Sequence, residues 1–467
     1  MNGLTVMPAV ELLSMLRRGQ ISPLELAGEY IQQIERLNPQ LRALVDFDAE
    51  RVREQARALE NSTGVRGPLY GLPMTIKASI ATAGYRCEVG SLLHRGNIPG
   101  QNATVVDRLK QAGALVLGTT NCPEFLMAYE SDNRLYGRTA NPWDLERTAG
   151  GSSGGESAAV AAGLSAAGLG SDSGGSVREP AHFTGICSLK PTPGRVPARG
   201  HLPSCDGPFA ILGAIGPMAR TVRDVTLLFI TLCGQDALDP VSPPIGLRNE
   251  SLEDLKRVPI AFFEDDGPVT PETRQAVRDA AETLEHQGFR VRPFRPSALE
   301  EARQLWWKFF VRGGAMLLDS LVRGRQDQLS PTFLDFLSIA EREPPLTATE
   351  MLSAWMDCDH VRRKLLAEMA SFPILLCPVC AIPAFRHGER EWDVDGQRLE
   401  YLDAMRYTQW FNLLGAPAAV VPVGWSPEGL PIGVQIVGRP FEDERVLGIA
   451  AAVEANFGYK PPPIAVD

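Results

Sequence analysis

Two short stretches of this chain place serine among glycines in a pattern that could support nucleophilic chemistry. They are GGSSGG, at residues 150–155, and GSDSGGS, at residues 170–176. A flexible linker does not fit between them, because residues 156–163 are rich in alanine and valine and predict a closely packed helix. In the second stretch, successive backbone N–H groups of a glycine turn could stabilise an oxyanion, and Ser176 could act as a nucleophile.

The same stretches partly match the patterns of other sites. A P-loop needs GxxxxGK[ST], and no lysine follows these glycines; a dinucleotide site needs GxGxxG, which GLGSDSGG does not supply. Residues 150–154 do satisfy GxSxG, the pattern of a serine esterase that would use Ser152 with a histidine further along the chain. His286, His360 and His387 follow, but no motif marks any of them, so this alternative stays open.

A serine nucleophile needs a base, and Lys77 is a candidate that does not depend on histidine. It lies in PMTIKASI, next to Met74, Ile76 and Ile80, with no acidic residue in the run. Burial among apolar side chains would lower the pKa of the lysine and keep it neutral. Taken by itself, however, the run is more typical of an edge strand that carries a lysine on the surface.

The elements that would position these residues alternate as in an α/β sheet. Helices are predicted at 8–38 (two, separated at Ser22–Pro23), 48–60 and 442–455, a strand at 71–80, helix–glycine–strand units at 103–121 and 274–294, and two strands after 406. Between 296 and 370 the sequence predicts helices rich in large aromatic residues. These aromatic residues either pack on the sheet or line an apolar substrate channel.

Composition and charge narrow the class of protein. The 467 residues are 44% hydrophobic and 22% charged, as in a globular chain with a large core. A formal net charge of −10 without any run of Lys and Arg argues against a nucleic-acid partner. Neither a signal peptide nor a transmembrane helix is expected, because the longest apolar run, 372–385, is short and contains Pro373, Pro378 and Pro383.

The eight cysteines are scattered along the chain. This distribution predicts reduced thiols in the cytoplasm rather than a disulfide framework. CPVC, at residues 377–380, has the spacing of a redox pair, but it lies in a strand-like apolar run without a following helix. We therefore expect no metal and no cofactor.

Six segments together resemble the amidase signature family, and they cover most of the chain. The order GGSSGG, DxGGSxRxPA, GxxxLKPT is highly specific. The segments are GLPMTIK (71–77), TTNCPEF (119–125), ESDNRLYGRTANPWDLERTAGGSSGG (130–155), GSDSGGSVREPAHFTGICSLKPT (170–192), GPMARTVRD (216–224) and FNLLGAPAAVVPVGWSPEGLPIGVQIVG (411–438).

The resemblance implies one α/β domain over residues 1–467, with a mixed central sheet covered by helices on both faces. A helical N-terminal segment (1–65) would precede a catalytic core formed by 66–240 and 371–467. The variable helical segment, at about 296–370, would set substrate selectivity.

The resemblance further implies a Ser–cis-Ser–Lys triad, in which Ser176 attacks, Ser152 passes protons and Lys77 is the base. Other residues of the motifs would bind the oxyanion, support the loop or face the substrate. They are the backbone N–H groups of Ser173, Gly174, Gly175 and Ser176 for the oxyanion, Ser153, Asp172 and Arg178 for the loop, and the backbone carbonyl near Leu126 for the N–H side of the substrate.

The implied activity is hydrolysis of a carboxylic amide to an acid and ammonia or an amine, through an acyl-enzyme on Ser176. The aromatic residues of the 296–370 segment and the stretch LMAYESDNRLYGRTANPW suggest an aryl or acyl amide and the fatty-acid-amide-hydrolase-like branch. Ala78 follows the lysine, where many relatives have an acid, and this should make Lys77 easier to keep neutral.

Two alternatives come from the same resemblance. The chain could be the amidase component of an aminoacyl-tRNA amidotransferase, which needs partner subunits, or a ligand-binding relative without catalysis. The presence of all three triad residues argues against the second of these. A small-molecule amide is the expected partner, and a homodimer is compatible with the resemblance.

Overall fold

One large mixed sheet organises the computed structural model, which describes residues 3–207 and 209–466. The strands of the described residues are β1 (Leu44–Phe47), β2 (Pro73–Lys77), β3 (Leu115–Thr120), β4 (Ala140–Asn141), β5 (Asp144–Thr148), β6 (Ala167–Asp172), β7 (Cys187–Lys190), β8 (Ala214–Ala219), β9 (Pro259–Phe262), β10 (Arg290–Pro293), β11 (Ile374–Pro378), β12 (Glu391–Val394), β13 (Gln397–Glu400), β14 (Ala418–Trp425) and β15 (Pro431–Gly438). Eleven of them form the main sheet in the order β1-β3-β2-β6-β8-β7-β14-β15-β11-β9-β10.

Helices connect these strands throughout the described residues. They are α1 (Ala9–Arg17), α2 (Pro23–Leu41), α3 (Ala49–Asn61), α4 (Thr104–Gln111), α5 (Gly154–Ala161), α6 (Arg178–Thr184), α7 (Phe209–Leu212), α8 (Val222–Leu232), α9 (Leu252–Lys256), α10 (Pro271–His286), α11 (Leu299–Trp306), α12 (Gly313–Val322), α13 (Pro331–Ala340), α14 (Ala348–Glu368), α15 (Tyr401–Ala404), α16 (Arg406–Leu414), α17 (Asp443–Glu454) and α18 (Pro463–Val466). None of the described helices is both long enough and apolar enough to cross a membrane.

Strand β14 shows that helices cover both faces of the sheet. Ala419 and Val421 belong to one core cluster with residues of α10 and α17. Val420, which points to the opposite face of the strand, belongs to a cluster with residues of α5 and α6. The prediction of a mixed central sheet with helices on both faces is thus confirmed.

Lys77 lies in the interior of the sheet rather than on an edge strand. It is the last residue of β2, which pairs in parallel with β3 on one side and with β6 on the other. Every residue of β2 is buried, as is typical of a parallel strand covered on both faces. The interpretation of Lys77 as a surface lysine is therefore wrong.

The ends of the chain differ in detail from the sequence prediction. The N-terminal segment contains a strand as well as helices, because β1 adds to the sheet edge in antiparallel pairing with β3. The break at Ser22–Pro23 is confirmed: Ser22 caps α2 through a capping box with Glu25, and Pro23 takes the first helical position. A short helix, α18, follows the predicted final helix α17.

Candidate active site

The two serine stretches form loops beside the carboxyl ends of β2 and β6. Ser152 lies just before α5, and Ser176 lies between the end of β6 and the start of α6. Because β2 and β6 are parallel neighbours, their carboxyl ends bring Lys77 and the loop after Asp172 together. The Gly151–Ser152 peptide bond is cis, the backbone form that the family resemblance implies.

Lys77 and Ser152 are in direct contact. The lysine Nζ lies 2.7 Å from Oγ of Ser152 and donates to Oγ of Ser171 at 3.1 Å. The lysine side chain is fully buried, and this burial lowers its pKa from 10.5 to about 8. The direction predicted from its apolar neighbours is therefore confirmed, and the neutral amine is accessible near neutral pH.

Ser153 joins the two serine loops. Its backbone N–H donates to the carbonyl of Ser176 at 3.2 Å, and its hydroxyl lies 3.3 Å from both the N–H and the carbonyl oxygen of Ser171. These bonds attach the loop of Ser152 to Ser171 on β6 and to the loop of Ser176. Ser152 and Ser176 consequently line one cavity.

A buried ion pair holds the base of the glycine loop. Arg178 donates from Nε and Nη2 to the two carboxylate oxygens of Asp172, at 3.0 Å each. Burial by itself would raise the pKa of Asp172, but the Arg178 guanidinium outweighs this effect and holds the pKa well below its usual range. Asp172 also accepts from the backbone N–H groups of Gly175 and Val177, so the ionised carboxylate fixes the turn.

Every carbonyl of the glycine loop from residue 173 to residue 176 accepts a hydrogen bond. The bonds are Trp306 Nε1 to Ser173 O (2.8 Å), Tyr129 Oη (3.0 Å) and Thr408 Oγ1 (2.5 Å) to Gly174 O, Glu179 N to Gly175 O (2.8 Å) and Ser153 N to Ser176 O (3.2 Å). A loop held at every carbonyl has its N–H groups preoriented, which is the requirement for oxyanion stabilisation.

The N–H groups of the loop are not equivalent. That of Gly175 donates to Oδ1 of Asp172 at 2.8 Å. Those of Ser173, Gly174 and Ser176 donate to no other part of the chain that the structure describes. Of the four expected oxyanion donors, three thus have no acceptor among the described residues, and that of Gly175 has Asp172.

Ser176 lies between two cavities. The larger, of about 410 Å³, is walled by aromatic side chains, and it also contains Gly174 and Leu126. The smaller, of about 90 Å³, contains Ser152, Ser171 and again Leu126. The aromatic walls of the larger cavity are Tyr129, Trp306, Trp307, Phe310, Phe336 and Tyr401. The two groups on either side of a scissile bond at Ser176 could thus each occupy a separate cavity.

The esterase alternative requires a histidine at Ser152, and the structure places none there. His387 is hydrogen-bonded at Nε2 to the Leu145 carbonyl, and His360 is exposed on α14. His286 ends α10. His201 does line the smaller cavity, but its ring nitrogens lie near the Pro203 carbonyl and the Ser79 hydroxyl. The partner of Ser152 is Lys77.

Several site residues were not predicted from the sequence. Ser171 lies within GSDSGGS, and its place on β6, just before the glycine turn, could have indicated contact with a neighbouring strand. Trp306, Tyr129 and Thr408 carry no local signal of their contact with the glycine loop. Their bonds to Ser173 and Gly174 join residues that are distant in the sequence.

Comparison with known proteins now decides the family. The family model described as Amidase matches residues 25–447. The chain belongs to the amidase family. It is a hydrolase that acts on amides.

Individual members of the amidase family are similar over almost the whole chain. An indoleacetamide hydrolase of Bradyrhizobium diazoefficiens is 33% identical over 96% of this chain and 86% of its own length. A glutamyl-tRNA(Gln) amidotransferase component of Roseiflexus castenholzii is 36% identical over 97% of this chain and 95% of its own length. The crystal structure of a bacterial aryl acylamidase has a TM-score of 0.85 at 26% identity and covers 97% of this chain and 96% of that one.

Proposed function

We propose that this amidase cleaves its substrate through an acyl-enzyme on Ser176, with Ser152 as proton shuttle and Lys77 as base. The observation that carries the proposal is the contact of 2.7 Å between Ser152 Oγ and a fully buried lysine amine. A neutral Lys77 accepts the proton of Ser152 while its own N–H keeps the hydrogen bond to Ser171. Ser152 then accepts the proton of Ser176, whose oxygen attacks the amide carbon.

The tetrahedral intermediate carries its negative charge on the former carbonyl oxygen. Gly174 and Ser176 line the cavities, and their N–H groups, which have no other acceptor among the described residues, would supply the stabilisation; the N–H group of Ser173 is a third candidate. The C–N bond then breaks as Ser152 gives its proton to the leaving nitrogen. Ser152 recovers the proton that Lys77 had accepted, which leaves Lys77 neutral again. Water hydrolyses the ester on Ser176 through the same relay and releases the acid.

The larger cavity supports an aryl or other hydrophobic acyl amide as substrate. Its walls include Trp306, Phe310 and Phe336, from the variable segment 296–370, which we propose sets selectivity. Charged residues at this cavity occur as pairs, such as Arg303 with Asp403, and so do not select a charged substrate. One relative is named for an amide with an aromatic ring, indoleacetamide, and this name agrees with the proposal.

The proposal is tested by labelling the protein with a fluorophosphonate and by assaying a panel of aliphatic, aryl and fatty amides. Ser176→Ala should abolish both labelling and hydrolysis. Ser188→Ala is the matched control, because this buried serine has a hydroxyl without a hydrogen-bond partner among the described residues. Undiminished labelling of Ser176→Ala would refute the assignment, and loss of activity on replacing one histidine alone would favour the esterase mechanism.

A second candidate function, the amidase component of a glutamyl-tRNA amidotransferase, is favoured by the 36% identity to a protein of that name. It predicts co-purification with further subunits and a requirement for glutamine. Hydrolysis of simple amides by the isolated chain would argue against it.

We propose the cytoplasm as the location of this protein, since all eight cysteines are unpaired. We also propose a homodimer, which light scattering would test.

A further inference from the structure

Trp306 reaches the glycine loop from the variable helical segment. Its indole Nε1–H donates to the carbonyl of Ser173 at 2.8 Å. The side chain is 1% exposed, and its ring stacks on Phe310 with 4.8 Å between centroids and 12° between planes. The indole N–H can only donate, so the tryptophan holds this carbonyl in one orientation.

The Ser173 carbonyl and the Gly174 N–H belong to the same trans peptide unit. Because a trans peptide is planar, these two groups point in opposite directions. Holding the carbonyl with the indole therefore fixes the direction of the N–H. The Gly174 N–H has no other acceptor in the described residues, and Gly174 lines the larger cavity.

The indole also lies directly against the loop backbone. A Cβ atom added at Gly174 would come within 2.6 Å of the Trp306 ring, so this approach requires glycine. The following peptide unit is held differently, by Tyr129 and Thr408 at its carbonyl and by Asp172 at its N–H. Of these two peptide units, Ser173–Gly174 is the one whose N–H has no acceptor among the described residues, and it is the unit that Trp306 holds.

We propose that Trp306 is a positioning residue for the oxyanion hole, whose indole N–H orients the Ser173–Gly174 peptide so that the Gly174 N–H meets the substrate's carbonyl oxygen. The inference rests on the proposed function, since it requires a tetrahedral adduct on Ser176. Trp306 ends α11, and a π-helical turn, Trp307–Arg312, follows it. The variable segment then acts on the transition state as well as on the choice of substrate.

The test is Trp306→Phe, which keeps an aromatic ring beside Phe310 and removes the donor. For 4-nitroacetanilide we expect kcat to fall about tenfold, less than the roughly 10²–10³-fold loss on deleting an oxyanion donor itself, with KM changed less than about twofold. The proposed mechanism predicts that phenylboronic acid forms a tetrahedral adduct with Ser176, and its inhibition constant should rise by the same factor as kcat/KM falls. Trp355→Phe is the control, because this indole packs on Phe309 outside both cavities.

A higher KM at unchanged kcat would make Trp306 part of the cavity wall only and would overturn the inference. If Trp306→Phe does not fold, benzothienylalanine at position 306 replaces the N–H by sulfur and keeps the shape; unchanged kcat in that protein overturns the inference equally. Ser176→Ala separates the two proposals. An active Ser176→Ala protein refutes the acyl-enzyme mechanism, whereas an inactive one with normal Trp306→Phe kinetics refutes only the role of Trp306.

Discussion

Lys77→Met should abolish amide hydrolysis and at the same time make the protein more stable at pH 7. Burial lowers the pKa of Lys77 from 10.5 to about 8, and this difference corresponds to about 3 kcal/mol. Below pH 8 the folded protein must bury a protonated amine that the unfolded chain keeps in water. Methionine removes this cost but also removes the two hydrogen bonds to Ser152 and Ser171, worth about 1 kcal/mol each, which leaves a net gain of about 1 kcal/mol.

The sign of the pH dependence follows from the depressed pKa. Between about pH 8 and 10.5 the unfolded chain binds more protons at Lys77 than the folded protein, so the wild type becomes more stable as the pH rises. The advantage of Lys77→Met should therefore be full at pH 7 and should shrink above pH 8. Urea unfolding of both proteins at pH 7, 8 and 9.5 measures it.

Activity should have the complementary profile, because only neutral Lys77 can act as base. With a pKa of about 8, roughly one lysine in ten is neutral at pH 7, against about one in 3,000 for an ordinary lysine. We expect kcat/KM to rise about tenfold per pH unit up to about pH 8 and then to level off. Lys190→Met is the matched control, since burial also lowers the pKa of this lysine, to about 7, outside the proposed triad.

A flat profile of kcat/KM between pH 6 and 9 would refute the role of Lys77 as base, and a Lys77→Met protein less stable than the wild type at pH 7 would refute the cost of burying its protonated amine. If the pH profile of kcat/KM shifts in Lys190→Met, the titrating group is Lys190 rather than Lys77. Circular dichroism of each variant shows whether a loss of activity reflects a loss of fold.

Three further variants test other parts of the site. Ser152→Ala should slow amides far more than matched esters, because an amide nitrogen must be protonated to leave; equal losses would contradict the shuttle role. Arg178→Met should lower the free energy of unfolding by about 3–5 kcal/mol, because it leaves the Asp172 carboxylate buried without its partner, and adding Asp172→Asn should recover part of the loss in urea unfolding. His387→Ala should leave kcat/KM within about twofold of the wild type, and a loss of activity would revive the esterase alternative.

Local sequence signals were sufficient for most elements of this fold. The capping box at Ser22 and Glu25 and the glycine that separates helix from strand at Gly113 act over a few residues, so they can be read along the chain. The strand β1 was missed because LVDF is short and its place in the sheet depends on pairing with β3. A pairing between distant segments leaves little trace in local composition.

For the site, the sequence by itself determined which residues could do the chemistry, because GGSSGG, DSGGS and the apolar surroundings of Lys77 are local patterns. Only the tertiary structure decided that β2 is an interior strand, and this burial makes the lysine a base. Only the structure also decided which N–H groups of the loop are available, since Asp172 uses that of Gly175 and Trp306 holds the peptide of Gly174. The reason is physical: burial and hydrogen bonds between distant segments depend on the packing of the whole chain, not on neighbouring residues.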